Sequence, residues 1–232
     1  MGIPCGVKLT LFISSCAALV LAAGAASAQH VAPPLAPLPK MAKETPAPSH
    51  ASVAPAEVVA SAVSAVASLG NEVVLGRYQV AVERMNSHWK ERTAERMGGM
   101  QQLETQLANV ARQMVKEGIS MVSFKPQGQP RSFEVGPGTK VEKIDGQDVE
   151  SLIFNQWLVL VPTATKFRIV RPGDPKPLVI ESIGYQVAIS DKGKNNWSFI
   201  DGSGLSVNDL RSLYLTLPAD LKLPPLEKRE SR

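Results

Sequence analysis

Few side chains in this sequence could do chemistry. Glu181 shares an alternating register with Val179, Ile183, Tyr185, Val187 and Ile189, the more apolar face of a strand. A carboxylate there would be partly desolvated, its pKa raised, and could act as a general base, with Tyr185 on the same face donating to an enolate. A competing reading makes Glu181 one half of an ion pair, because it lies near the strand start within cross-strand reach of Lys166 or Arg168. Nucleophilic catalysis has less to draw on. The three histidines are His30, His50 and His88. The first two lie in a proline-rich stretch, the third stands beside Trp89 on a short charged helix, and there is no Gly-x-Ser-x-Gly elbow. Asp145, Asp148 and Glu150 are the one close set of acids. Their spacing suits a polar hairpin turn better than a hard-ion loop, so neither metal nor cofactor is expected. The aromatic residues Tyr78, Trp157, Tyr185, Trp197 and Phe199 are candidates to line a ligand pocket, against the plainer alternative that they pack the core.

The elements that must position these residues begin after a leader. Lys8 precedes an uncharged, increasingly apolar run ending in Ala26-Ser27-Ala28. A positive start, an apolar middle and small residues before the cut describe a secretory signal peptide over 1–28. Its removal would take away both cysteines, Cys5 and Cys16, leaving a thiol-free chain held by its core alone. A lipoprotein alternative at Ile13-Ser14-Ser15-Cys16 is weaker, because the residues after Cys16 stay apolar. The expected location is therefore outside the cytoplasm, periplasmic or secreted, with no transmembrane segment after cleavage. Taking Lys8 from the 25 basic residues leaves 24 against 21 acidic ones, a net +3. That charge is small and dispersed, and no Arg/Lys cluster interleaved with aromatics suggests nucleic acid.

Residues 29–56 form a Pro/Ala-rich linker with Pro33, Pro34, Pro37, Pro39, Pro46, Pro48 and Pro55, too poor in backbone donors for helix or sheet. An accessory helix is expected over 57–70, with Val59, Val63 and Val66 on one side. The main domain is expected over 71–225. Its helices cover 71–85, 87–97 (ended by Gly98-Gly99) and the stripe Met100, Leu103, Leu107, Val110, Ala111 and Met114, closed by Gly118. Thereafter the period falls to two. Strands are expected from Ile119, around Phe133 and Val135, and about a turn at Asp145-Gly146. Others run over 152–161 and on to Val170, over 178–190, and over 196–201. A short helix from Val207 to Leu215 and a charged tail over 226–232 complete the chain. The strand over 152–161 is apolar on both faces, so both must be covered or one must self-associate, and a homodimer through the sheet would serve. Helices followed by antiparallel strands define an α+β fold.

Certain motifs resemble a known group. They are Gly118-Ile119-Ser120, Val161-Pro162-Thr163-Ala164-Thr165, Ala188-Ile189-Ser190, Trp197-Ser198-Phe199-Ile200-Asp201-Gly202 and Leu217-Pro218-Ala219-Asp220-Leu221. Over residues 73–225 the chain is similar to exported, uncharacterised proteins with a nuclear transport factor 2-like fold. That resemblance implies a cone: helices packed on a strongly curved, mainly antiparallel sheet, with a pocket at the wide end. In one respect the chain departs from the group. Its turn before the last strand there reads like an Asp-box, whereas Ser190-Asp191-Lys192-Gly193 sets the aspartate one position early and Lys192 in its place. The function expected is binding of a small apolar or amphipathic ligand, or of a partner protein. Two alternatives remain: an isomerase or dehydratase using Glu181 and Tyr185, and a structural tether using the 29–70 arm.

Overall fold

The computed structural model describes residues 53–230 apart from 137, 145 and 175. The expected leader, most of the linker, His30, His50 and Asp145 lie outside the described residues. Among the described residues four helices come first: α1 (Ala56–Val74), α2 (Gln79–Glu83), α3 (Ser87–Met97) and α4 (Met100–Lys116). Strands β1 (Ile119–Pro126), β2 (Arg131–Val135), β3 (Thr139–Ile144), β4 (Gln147–Leu152), β5 (Gln156–Ile169), β6 (Leu178–Asp191) and β7 (Ser198–Asp201) follow. A short helix, α5 (Val207–Leu213), and a last strand, β8 (Glu227–Glu230), end the described chain. The architecture is α+β, helices followed by a mainly antiparallel sheet.

Two strands of 14 residues each, β5 and β6, form the spine, paired from Gln156 opposite Asp191 to Ile169 opposite Leu178. Each outer side of this pair is shared by two shorter strands laid end to end. Along β5, β2 covers 156–160 and β1 covers 163–169. Along β6, β7 covers 186–189 and β8 covers 180–183. That division explains how Pro162 sits in the middle of a long strand. It falls at the seam between β1 and β2, where its carbonyl accepts from the Gln127 N–H at 2.8 Å. The donor that proline lacks is missing where no edge strand requires one.

The sheet is packed on both faces. One face carries Leu158, Leu160, Tyr185, Val187 and Ile189, which meet Ile200, Leu210 of α5 and the following Tyr214, Leu217 and Leu221. The other carries Val159, Val161, Ala188 and Phe199, with Trp197 beside them, and these meet Ala62, Val66 and Leu69 of α1. Each fully buried Val, Leu or Ile contributes roughly 1.5–3 kcal/mol, and most of these are less than 5% exposed. The covering helix α5 opens with a capping box between Ser206 and Asp209. Arg96 of α3 reaches the same Asp209 at 3.2 Å and ties the two helices together.

Helix α1 corrects two expectations. Residues 57–70 are not an accessory to the fold, because Ala62, Val66, Leu69 and Gly70 are buried in it. By length and composition α1 could cross a membrane, yet that buried stripe lies against the sheet. Nor does the helix break at Gly70. A Cβ at Gly70 would lie 2.0 Å from the Phe124 ring, so glycine here serves close approach to β1. The break comes at Gly76, whose φ of 81° is left-handed, and it divides the expected 71–85 helix. Elsewhere, the run expected over 152–161 is split, since β4 ends at Leu152 and β5 starts at Gln156. The β3–β4 hairpin forms a sheet of its own. Part of the expected charged tail is β8.

Replacing a mid-helix glycine by alanine ordinarily gains about 1 kcal/mol of helix propensity. At Gly70 the overlap with Phe124 reverses the sign, and Gly70→Ala should cost about 1–3 kcal/mol, read as a lower urea midpoint at unchanged slope.

Candidate functional site

Glu181 is an ion-paired residue at the sheet margin. Its Oε2 accepts from Arg229 Nε at 2.8 Å and lies 2.7 Å from Arg229 Nη2. Lys166 Nζ stands 3.9 Å from Oε1. The three residues form one cross-strand row over β5, β6 and β8. The carboxylate is thus held between two cations rather than sealed in an apolar pocket. Tyr185, on the same face, is four residues away, about 13 Å along a strand. Its ring lies so close to Gly202 that a Cβ there would stand 2.6 Å from it. The hydroxyl faces the Leu205 carbonyl at 3.5 Å. Burial, helped by the charge of Asp201, pushes its pKa up to about 12. The base and the donor do not converge on a common point.

The aromatic candidates are also separated. Trp157, Trp197 and Phe199 belong to the face that meets α1, whereas Tyr185 belongs to the opposite face, with the sheet between. Tyr78 is a half-buried residue at the N-terminus of α2. Of the remaining chemical candidates, His88 is exposed at the start of α3, and Asp148 and Glu150 lie on the exposed strand β4.

Trp157 and Trp197 do come together, at the end of the sheet where β5 begins and β6 ends. With Glu57, Val58, Ser190, Asp191, Gly193 and Asn195 they line a cleft of about 280 Å³. Trp197 is buried, and its Nε1–H donates to Ser61 of α1 at 2.9 Å. Trp157 is half-exposed. The Lys192 ammonium lies 4.9 Å from its ring centre and also pairs with Glu134. Partial burial lowers the Lys192 pKa. Just ahead of α1, the Ala54 N–H donates to Ser132 of β2 at 3.1 Å.

The turn that shapes this cleft is locked by side chains. The Asn196 amide oxygen accepts from the Asp191 N–H at 3.1 Å and from the Ser190 hydroxyl at 2.8 Å. The Asp191 carboxylate accepts from Gln156 at 2.9 Å, Lys194 at 3.1 Å and Asn196 at 3.3 Å. The Gln156 bond first, and then Lys194, hold its pKa below the usual carboxylate range. Gly193 and Asn195 take left-handed φ values of 76° and 52°, the conformation that glycine and asparagine tolerate best. The displaced aspartate therefore does not remove the lock. Asn196 holds the backbone, Asp191 gathers the side chains, and Trp197 packs beneath. The pair Asn195-Asn196 directly before a tryptophan was the signal for this in the sequence.

Two further residues support the region without having stood out in the sequence. Asn86 caps α3 by accepting from the Trp89 N–H at 3.2 Å and donates to Ser198 at 3.2 Å. Tyr214 is fully buried, and its hydroxyl makes no full hydrogen bond, with the Asn86 amide as its polar neighbour. Burial pushes its pKa up to about 12, against the influence of Asn86. No family model, curated protein or solved structure matches the chain.

The two raised tyrosines give alkaline unfolding a defined window. A folded pKa above the unfolded value of about 10 contributes stability that is complete below about pH 10 and lost as the pH climbs towards the folded value. Titration at 295 nm should find two of the three tyrosines still protonated at about pH 11. Full ionisation there, with the far-UV dichroism intact, would contradict the buried placement of Tyr185 and Tyr214.

Proposed function

We propose that this chain is an exported, non-catalytic binding protein that engages a partner protein through the Trp157–Trp197 cleft. The observation that carries this reading is the cleft itself, set at the margin of a sheet whose two faces are already occupied. At about 280 Å³ it falls just below the roughly 300–1,000 Å³ of pockets that enclose small ligands. It suits one or two apolar side chains of a partner, presented to a half-exposed indole with charged groups around the rim. Aromatic anchors ringed by polar residues are the usual centre of such contacts. Export is supported by the leader pattern from Lys8 to Ala28. Kinship with the nuclear transport factor 2-like group is supported by the motifs shared over 73–225 and by helices that precede an antiparallel sheet. The cleft is favoured over a ligand held inside a cone because buried side chains pack against both faces of the sheet. Nor is general-base catalysis, because Glu181 is bound by Arg229.

The test is site-specific photo-crosslinking in the producing cell. A photoreactive residue at Glu57, on the cleft rim, should give a discrete adduct, and one at Lys176, at the other end of β5 and β6, should not. Trp157→Ala should reduce the Glu57 adduct at least about tenfold while the fold persists by circular dichroism, as expected for an anchor residue worth more than ~1.4 kcal/mol. Equal adducts at both positions, or an adduct indifferent to Trp157→Ala, would contradict the proposal.

A further inference from the structure

The edge of β6 from Ile180 to Ile183 is covered by four residues that fit it poorly. β8 pairs antiparallel there, with Glu230 opposite Ile180, Arg229 opposite Glu181, Lys228 opposite Ser182 and Glu227 opposite Ile183. Every β8 side chain is exposed, so the strand adds no apolar area to the core. Two of its four cross-strand pairs set a glutamate against a half-buried isoleucine, where an aliphatic neighbour would stabilise the pair. Arg229 on Glu181 is the chemically matched contact, and the Arg229 side chain is 60% exposed, which weakens it by solvent screening. The segment before β8 leaves the core after Leu223, which packs against it, and passes through Pro224 and Pro225, a stiff approach that can hold the strand near its seat or away from it.

We propose that β8 is a displaceable cover over a strand-addition site, and that the occupant is an extended segment of a partner protein. That segment runs antiparallel to β6, with β-branched aliphatic residues opposite Ile180 and Ile183 and a basic residue opposite Glu181. The backbone groups of the β6 edge supply the affinity, and alternate side chains supply the selection. Such a strand keeps the matched contact to Glu181 and replaces both mismatched ones. It buries Ile180 on one face of the sheet and Ile183 on the other, removing apolar surface from water that β8 leaves half-exposed. The seat is distinct from the tryptophan cleft, which uses the opposite end of β6 at Ser190 and Asp191.

The experiment is a fluorescence anisotropy titration of the full chain with a labelled peptide spanning 225–232, carrying valine in place of Glu227 and Glu230. Saturable binding is expected, at least about tenfold tighter than for the unaltered peptide and at least about tenfold weaker when the valine-bearing peptide also carries Arg229→Glu. Glu181→Arg in the full chain should restore binding of the peptide that carries Arg229→Glu. Trp157→Ala should leave binding within about twofold of the parent, which separates this site from the cleft. If Glu181→Arg fails to fold, Glu181→Gln serves in its place with the same expected direction. Absence of saturable binding, or binding indifferent to residue 181, would overturn the strand-addition site and leave the cleft proposal standing.

Discussion

Two long strands that are apolar on both faces dictate the rest of this molecule. β5 and β6 alternate Leu158, Leu160, Val187 and Ile189 on one side with Val159, Val161 and Ala188 on the other. A strand pair of this kind cannot leave a face to water without exposing a row of aliphatic side chains. Two covers are therefore required. α1 supplies one, close enough to β1 that a Cβ at position 70 would overlap the Phe124 ring. α5 and the chain through Leu217 and Leu221 supply the other. With both covers in place, side chains pack both faces of the spine, and the cleft lined by Trp157 and Trp197 lies at the end of the sheet.

Those margins are handled by different devices. At one end, the 191–197 turn is fixed by Asn196 and Asp191 and presents two tryptophans. Along β5, the seam at Pro162 lets two short strands share an edge. β1 carries a register shift between Met121 and Ser123, with Val122 exposed between them, a bulge of the kind that discourages pairing with another chain. Along β6, four charged residues blunt the edge without burying it. The β3–β4 hairpin stands on its own backbone pairing, and a two-stranded ribbon of this kind is marginally stable in water. Local opening should thus be easiest at the hairpin and at β8, and hardest where α1, β5 and β6 meet.

Much of this could be read in the sequence where one local rule acts alone. α3 and its Gly98 cap, α4 with its Gly118 stop, the alternation along β5 and β6, and the two-sided apolarity of β5 all follow from periodicity and turn chemistry. What could not be read depended on long-range contact. Gly70 looks like a helix end until Phe124 is seen beside it. The valine-rich 57–70 segment looks peripheral until its stripe meets Val159 and Val161. The 227–230 segment has no strand signal of its own, since its pairing comes from the open edge of β6. At the candidate site, the tryptophan end was half legible. Trp157 and Trp197 could be named as large strand aromatics, but face parity alone could not bring them to one rim or place Tyr185 behind the sheet. Glu181 was legible as an ion pair with Lys166 or Arg168, of which Lys166 lies beside it, while its stronger partner, Arg229, lay in a stretch expected to be a tail.

Native-state hydrogen exchange along α1 tests the two-cover account most directly. If α1 is structural, the amides at 62–70 exchange through the same global opening as those at 158–161 and show the same denaturant dependence. Exchange in α1 that is orders of magnitude faster, and flat in denaturant while β5 stays protected, would mean that this helix is detachable. The sheet would then have an uncovered face, and the proposal that binding takes place at its margins would lose its physical basis.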